Sequence, residues 1–184
     1  QQGVPHIRTR EPGGTAISNK VRQLLLDPAH TEMADETEVM FYAASRAQLV
    51  NEVIRPALND GQVVLCDRFV DASLAYQAYG LGYPVEQVAA INQFATGGLR
   101  PKRTYLLDVP VEIGMARVHQ NRSEGPDRIE QKDATYHAAV RRGFLELAKR
   151  EPERIYHIDA TQTADVVFST IQSDMVNTFS LGGN

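Results

Sequence analysis

The chain of 184 residues has a single cysteine, Cys66, set inside the apolar run "QVVLCD". One thiol builds neither a disulfide framework nor a thiolate metal site, and a reducing compartment suits it. Histidine carries no metal pattern either: His6, His30, His119, His137 and His157 are scattered without ligand spacing. No apolar stretch approaches the ~20 residues that span a bilayer, and the opening "QQGVPHIRTR" has no apolar export segment. The reading is a cytoplasmic chain, neither exported nor embedded, with no membrane partner. A basic excess is missing as well. The net charge is −4 and the pI about 5.7, which argues against nucleic acid as a partner because phosphate neutralisation leaves a basic footprint. Small anions held in a local basic cleft stay open. Internal repeats and low-complexity tracts are absent. So is the phosphate-loop pattern GxxxxGK followed by Ser or Thr: Gly13, Gly14, Gly97 and Gly98 have no Lys-Thr or Lys-Ser at the required offset.

What is present is an alternation. With 42% hydrophobic and 23% charged residues, the chain is long enough for one well-filled core and short for two, so residues 1–184 are expected to form a single domain. "VPHIRT", "QVVLCD", "TYLLDV" and "RIYHID" read as strands, the middle two too continuously apolar to leave a face in water. Helical periods lie between them. Residues 16–26 place Ile17, Val21, Leu24 and Leu25 on one stripe behind Thr15 as cap. Residues 36–58 form a long helix that Pro56 kinks near its end, with Gly61 closing the connection. Further helices are expected at about 85–95, 111–121, 133–150 and 163–178. Strand and helix repeated in this way predict an α/β fold, a three-layer sandwich with a mostly parallel sheet and right-handed crossovers.

The polar motifs then fall together. "TREPGG", "DRF", "DVP" and "DA" each follow one of the four strands, at the carboxyl edge where open α/β sheets bind ligands. Asp108 and Asp159 alone read as turn or cap residues. Asp67 and Arg68, an acid and a base at the mouth of a buried strand, suit a phosphate and its metal. Tyr42 and Arg46 stand four residues apart on one helix face, an aromatic ring beside a guanidinium fork, which suits a flat base. A core tyrosine with a surface arginine is the plainer alternative, and Phe41 takes the stacking place if the register shifts by one. "RVHQNRSEGPDRIEQ" reads as a mobile lid over about 120–131: Gly125 and Pro126 break the helix, and Arg117, Arg122 and Arg128 bracket the break. An exposed charged loop is the alternative there.

"TREPGGT", "FYAASRAQLV", "IRPAL", "DRF" followed by "SLAYQ", "TYLLDVP" and "DRIE", in this order, resemble bacterial thymidylate kinase over nearly the whole chain. The resemblance implies a P-loop nucleoside-monophosphate kinase that passes the γ-phosphoryl of ATP to dTMP, giving dTDP for dTTP synthesis, with Mg2+ and as a homodimer. It implies Arg10, Glu11 and Arg22 around the acceptor phosphate, Glu11 reaching the metal through water. It sets Tyr42 against thymine, Arg46 toward its O4, and Ser73, Tyr76 and Gln77 around the rest of the nucleoside, Tyr76 favouring deoxyribose. Asp67 would serve metal and catalysis, Arg68 would bridge acceptor and transferred phosphoryl, and Arg122 and Arg128 would stabilise the migrating group from the lid. The turn "TREPGG" then makes sense: its glycines bend the backbone, Pro12 fixes it, and Arg10 and Glu11 aim into the cleft. Family members begin with a strand, a Gly-rich phosphate loop and a helix ahead of that turn, so the expectation is an amino-terminal truncation. Another (deoxy)nucleotide kinase, or a non-catalytic nucleotide-binding or dimerisation module, are the alternatives.

Overall fold

A computed structural model describes residues 3–121 and 125–179. Strand β1 (His6–Arg10) pairs in parallel with β2 (Val63–Asp67), His6 opposite Val63 and Arg10 opposite Asp67. Strand β3 (Thr104–Asp108) pairs in parallel with β4 (Ile155–Asp159). Among the described residues no ladder joins β2 to β3, so the parallel sheet is present as two halves. The inward edges follow from alternation along a strand. Val63 N–H donates to Pro5 and Asp67 C=O accepts from Glu11, both 2.9 Å, so Val64 and Cys66 turn their backbone groups away from β1. On β3, Thr104 and Asp108 bond toward the β4 side, which leaves Tyr105 and Leu107 turned away. A cleft of about 1180 Å³ separates the halves, lined by β2 and β3, with Leu65 40% and Leu107 51% exposed.

The helices sit close to their expected spans. Helix α1 (Ala16–Leu26) starts where the Thr15 hydroxyl accepts from Ser18 N–H at 3.0 Å. Helix α2 (Asp35–Leu49) runs through a π segment (Val50–Ile54) into α3 (Arg55–Asn59). The irregularity lies just ahead of Pro56, which offers no N–H to the preceding turn, so the turn widens. Helices α5 (Val85–Thr96), α6 (Val111–Asn121), α7 (Ala134–Arg150) and α8 (Ala164–Phe179) complete the set. Helix α4 (Val70–Ser73) and its π continuation (Leu74–Gly80) have no counterpart in the sequence reading, since "LAYQAYG" shows no apolar stripe. Two glycines let α7 lie against this segment: a Cβ on Gly80 would meet the Tyr136 ring, and one on Gly143 the Tyr79 ring, each at 2.7 Å.

One core cluster, Leu49, Val50 and Ile54, packs under Val64, Cys66 and Phe69; a second joins Ala75, Ile129, Tyr136 and Val140. Burial pushes the Cys66 thiol up to about 12, so it stays an unreactive part of that packing. A buried ion pair fastens α4 to the second half-sheet. Arg154 grips both oxygens of Asp71 at 2.7 and 2.8 Å, and Thr104 Oγ1 donates to the same carboxylate at 2.9 Å. Asp71→Ala should therefore lower unfolding free energy by about 2 kcal/mol, because Arg154 and Thr104 lose a shared carboxylate and Arg154 keeps only Glu151 as a carboxylate partner. Urea unfolding with an unchanged m value checks this; a loss below about 0.5 kcal/mol would show that the pair is merely surface-like.

Candidate active site

The carboxyl ends of β1 and β2 lie side by side, and the residues after them turn inward. Glu11, 4% exposed, donates its N–H to Asp67 C=O, and its Oε2 accepts from Arg46 Nε at 2.7 Å and Nη2 at 2.5 Å. Arg46 reaches down from α2, only 1% exposed. Its Nη1 donates to Ser73 Oγ at 2.9 Å and to Asn92 Oδ1, and its guanidinium lies over the Phe69 ring. The turn between is held by its own backbone: Gly13 N–H donates to Ser45 Oγ and Gly14 N–H to Asn19 Oδ1. Gly14 has φ +91°, and a Cβ there would strike Thr9 and Leu49, so glycine is required. Arg22 Nη1 donates to Pro12 C=O at 3.0 Å and braces the same turn.

Burial pushes the Glu11 carboxyl above its ordinary range, against the pull of Arg46. Its second oxygen, Oε1, has no partner. A second orphan lies nearby in the chain's buried polar set. Gln77, 1% exposed, donates Nε2 to Glu38 Oε1 at 3.1 Å, and its Oε1 is unpartnered. Glu38, fully buried, accepts on Oε2 from Arg128 Nη2 at 2.8 Å, with Lys132 Nζ at 4.0 Å. Tyr42, one turn before Arg46, has its hydroxyl pushed up first by burial and then by the Glu38 charge, with Arg68 and Arg128 pulling the other way. The Arg68 guanidinium lies 5.1 Å from the Tyr76 ring centre, and that ring is held edge-on by Tyr136 and Phe144.

The structure thus gathers Glu11, Arg46, Ser73 and Gln77 into buried polar networks, with Tyr42, Arg68 and Tyr76 beside them. Arg10 and Asp67 sit exposed and opposite one another at the strand ends. Arg46 is no surface arginine. Arg122 lies outside the described residues. In the stretch expected as a lid, Ile129 is buried in a core cluster, and Arg128 Nε and N–H donate to the carbonyls of Leu25 and Leu26. Apolar burial and backbone bonds hold that stretch against α1. Asp159, which accepts from Thr161 N–H and Gln162 Nε2, holds a local turn as read, whereas Asp108 is gripped by Arg141 at 2.7 Å and 3.0 Å with His157 at 3.2 Å, an ion pair rather than a turn or cap. Glu38 and Asn92 have no place in the sequence reading, although Glu38 precedes Tyr42 by the same four residues that separate Tyr42 from Arg46. Among the described residues no three His, Cys, Asp or Glu side chains form a metal cage.

The family pattern described as "Thymidylate kinase" matches residues 1–171. The chain is similar to a thymidylate kinase of Exiguobacterium sibiricum, 50% identical over 175 residues, covering 95% of this chain and 82% of the relative. It is also similar to those of Symbiobacterium thermophilum, 48% identical over 172 residues (94% and 79%), and Lactobacillus acidophilus, 45% over 175 residues (95% and 81%).

Proposed function

The chain belongs to the thymidylate kinase family, and on that premise we propose how its residues divide the work of binding dTMP and moving a phosphoryl group. The reaction is transfer of the γ-phosphoryl of ATP to dTMP, giving dTDP, and the chain is a phosphotransferase. The observation that carries the assignment of residues is the pair of orphaned acceptors, Glu11 Oε1 and Gln77 Oε1. Each costs ~1–3 kcal/mol while unpaired, and a ligand with N–H and O–H donors relieves it. A thymine imide and a deoxyribose hydroxyl carry such donors. The base lies against the Tyr42 ring, with Ser73 and Gln77 at its edge, and Tyr76 takes the sugar side. Arg46 has given most of its N–H groups to Glu11, Ser73 and Asn92, so it organises the pocket and offers O4 only what is left.

Arg10, Arg22 and Arg68 serve the acceptor phosphate, with Arg68 placed to neutralise charge that grows during transfer. Magnesium fits this edge in one way. Asp67 is an exposed oxygen donor, and one carboxylate with substrate phosphates is the usual magnesium shell. Glu11 Oε2 is taken by Arg46, so Glu11 would act only through water. When bound, the ion would neutralise charge on the phosphates. Arg122 and Arg128 keep a proposed part in transfer, which for Arg128 means leaving Glu38. We place the enzyme in the cytoplasm as a homodimer. Phe94, 91% exposed on α5, is apolar surface that such pairing would cover, and no described helix is long and apolar enough to cross a membrane.

Steady-state ADP release with dTMP, dUMP and dCMP, alongside calorimetric binding, tests the reading. The highest kcat/KM is expected with dTMP; faster turnover with dUMP or dCMP would overturn the acceptor assignment. Base stacking is worth ~1–3 kcal/mol, so Tyr42→Ala should weaken dTMP binding roughly tenfold or more, and Tyr42→Phe should be mild. Equal affinity in Tyr42→Ala and the parent would move the base elsewhere.

A further inference from the structure

We propose that Glu38 sets the base preference of the acceptor pocket by fixing which way the Gln77 amide points. This rests on the acceptor site described above and adds a residue to it. The two ends of a glutamine amide are alike in shape and opposite in hydrogen bonding: the NH2 donates and the oxygen accepts. A buried glutamine is therefore a reader whose sense depends on what holds its far side. Here the far side is Glu38 Oε1, 3.1 Å from Gln77 Nε2. A carboxylate oxygen accepts, so the amide NH2 must face it and Oε1 must face away.

Glu38 is itself immobilised. It is 0% exposed, and its other oxygen takes Arg128 Nη2 at 2.8 Å with the Lys132 ammonium at 4.0 Å. Gln77 is 1% exposed and follows Tyr76 in the π segment that continues from Ser73. The oxygen so presented is one of the two buried side-chain atoms without a partner among the described residues. A presented acceptor matches the N3–H of thymine or uracil. It opposes the N3 lone pair of cytosine, acceptor against acceptor, and it has nothing to receive from a base methylated at N3. Turned over, the same amide would donate to cytosine N3. Both Glu38 oxygens are taken by protein groups, Gln77 and Arg128, so it is a positioning residue acting through Gln77, and it bears on imide against non-imide bases rather than on the thymine methyl.

The test is calorimetric binding of dTMP, dCMP and N3-methyl-dTMP to the 184-residue chain, to Glu38→Gln and to Gln77→Leu. The parent should prefer dTMP to both other ligands by tenfold or more, since a site built to accept a hydrogen bond rejects an analogue that cannot give one. In Glu38→Gln the amide at 38 faces either way, Gln77 is free to turn, and the dTMP-to-dCMP affinity ratio should fall at least fivefold, beyond any common loss of affinity. A folded Glu38→Gln that binds every ligand more weakly at an unchanged ratio would overturn the proposal, because a merely structural role lowers all affinities together. Should Glu38→Gln fail to fold, Gln77→Leu decides: erased discrimination against N3-methyl-dTMP supports the proposal, and retained discrimination overturns it. A parent chain that binds none of the three would instead overturn the acceptor site itself.

Discussion

Arg68→Ala should lower phosphoryl-transfer turnover by about 100-fold or more while dTMP still binds, the size of loss expected when a preorganised charge donor is removed. Arg68 is the first residue beyond β2 and the only described non-glycine residue with positive φ, +63°. That backbone costs ~1–3 kcal/mol for a side chain with a Cβ and persists only where its surroundings impose it. The surroundings are visible: the Cys66 thiol donates to Arg68 C=O at 3.0 Å, and the Tyr76 ring lies beneath the guanidinium. With its backbone fixed and its guanidinium set against a ring, the group needs less reorganisation when charge develops beside it. Arg68→Gly separates the two effects, since it relieves the backbone yet removes the charge; it should melt no lower than Arg68→Ala and be as inactive. Turnover of Arg68→Ala within about threefold of the parent would remove Arg68 from the mechanism.

Arg46→Ala should be the most destabilising single change, at about 3–5 kcal/mol, because it strands the Glu11 carboxylate and the partners at Ser73 and Asn92 in the interior. It also changes the pH response. Burial already raises the folded pKa of Glu11 above 4.5, so its stabilising contribution is fully present below the unfolded pKa and is lost as pH rises through the folded one. Without Arg46 the downward pull disappears, the folded pKa rises further, and the window of loss extends upward. The variant should therefore recover part of its deficit near pH 5 relative to pH 7.5. Urea unfolding across that range measures it; a deficit independent of pH would mean that Glu11 had left the interior.

Much of this site was legible because it lies on local periods. The strands end where "TREPGG" and "DRF" begin, and Tyr42 and Arg46 share a face through helical spacing. The partners of Arg46 were not legible. Glu11 is 35 residues away, Ser73 27 and Asn92 46, and which distant oxygens enclose a guanidinium depends on how elements pack, which no local period records. Glu38 had a local signal, but an acidic residue in the first turn of a helix ordinarily reads as a solvated partner of the helix dipole. Gly125 and Pro126 lie outside any helix, as composition suggests, while Ile129 lies in a core cluster with Ala75 and Val140, a long-range contact that no local charge pattern records.

The two half-sheets have a kinetic meaning as well. His6 meets Val63 and Thr104 meets Ile155, so each ladder joins residues more than fifty apart and rewards nothing until a long loop has closed. Contacts between near neighbours, such as α1 against α2, need far less closure. Assembly of the edge proposed to handle phosphate, which needs β1 and β2 to end side by side, is thus expected to wait on long-range contacts, the class that topology makes slow to form.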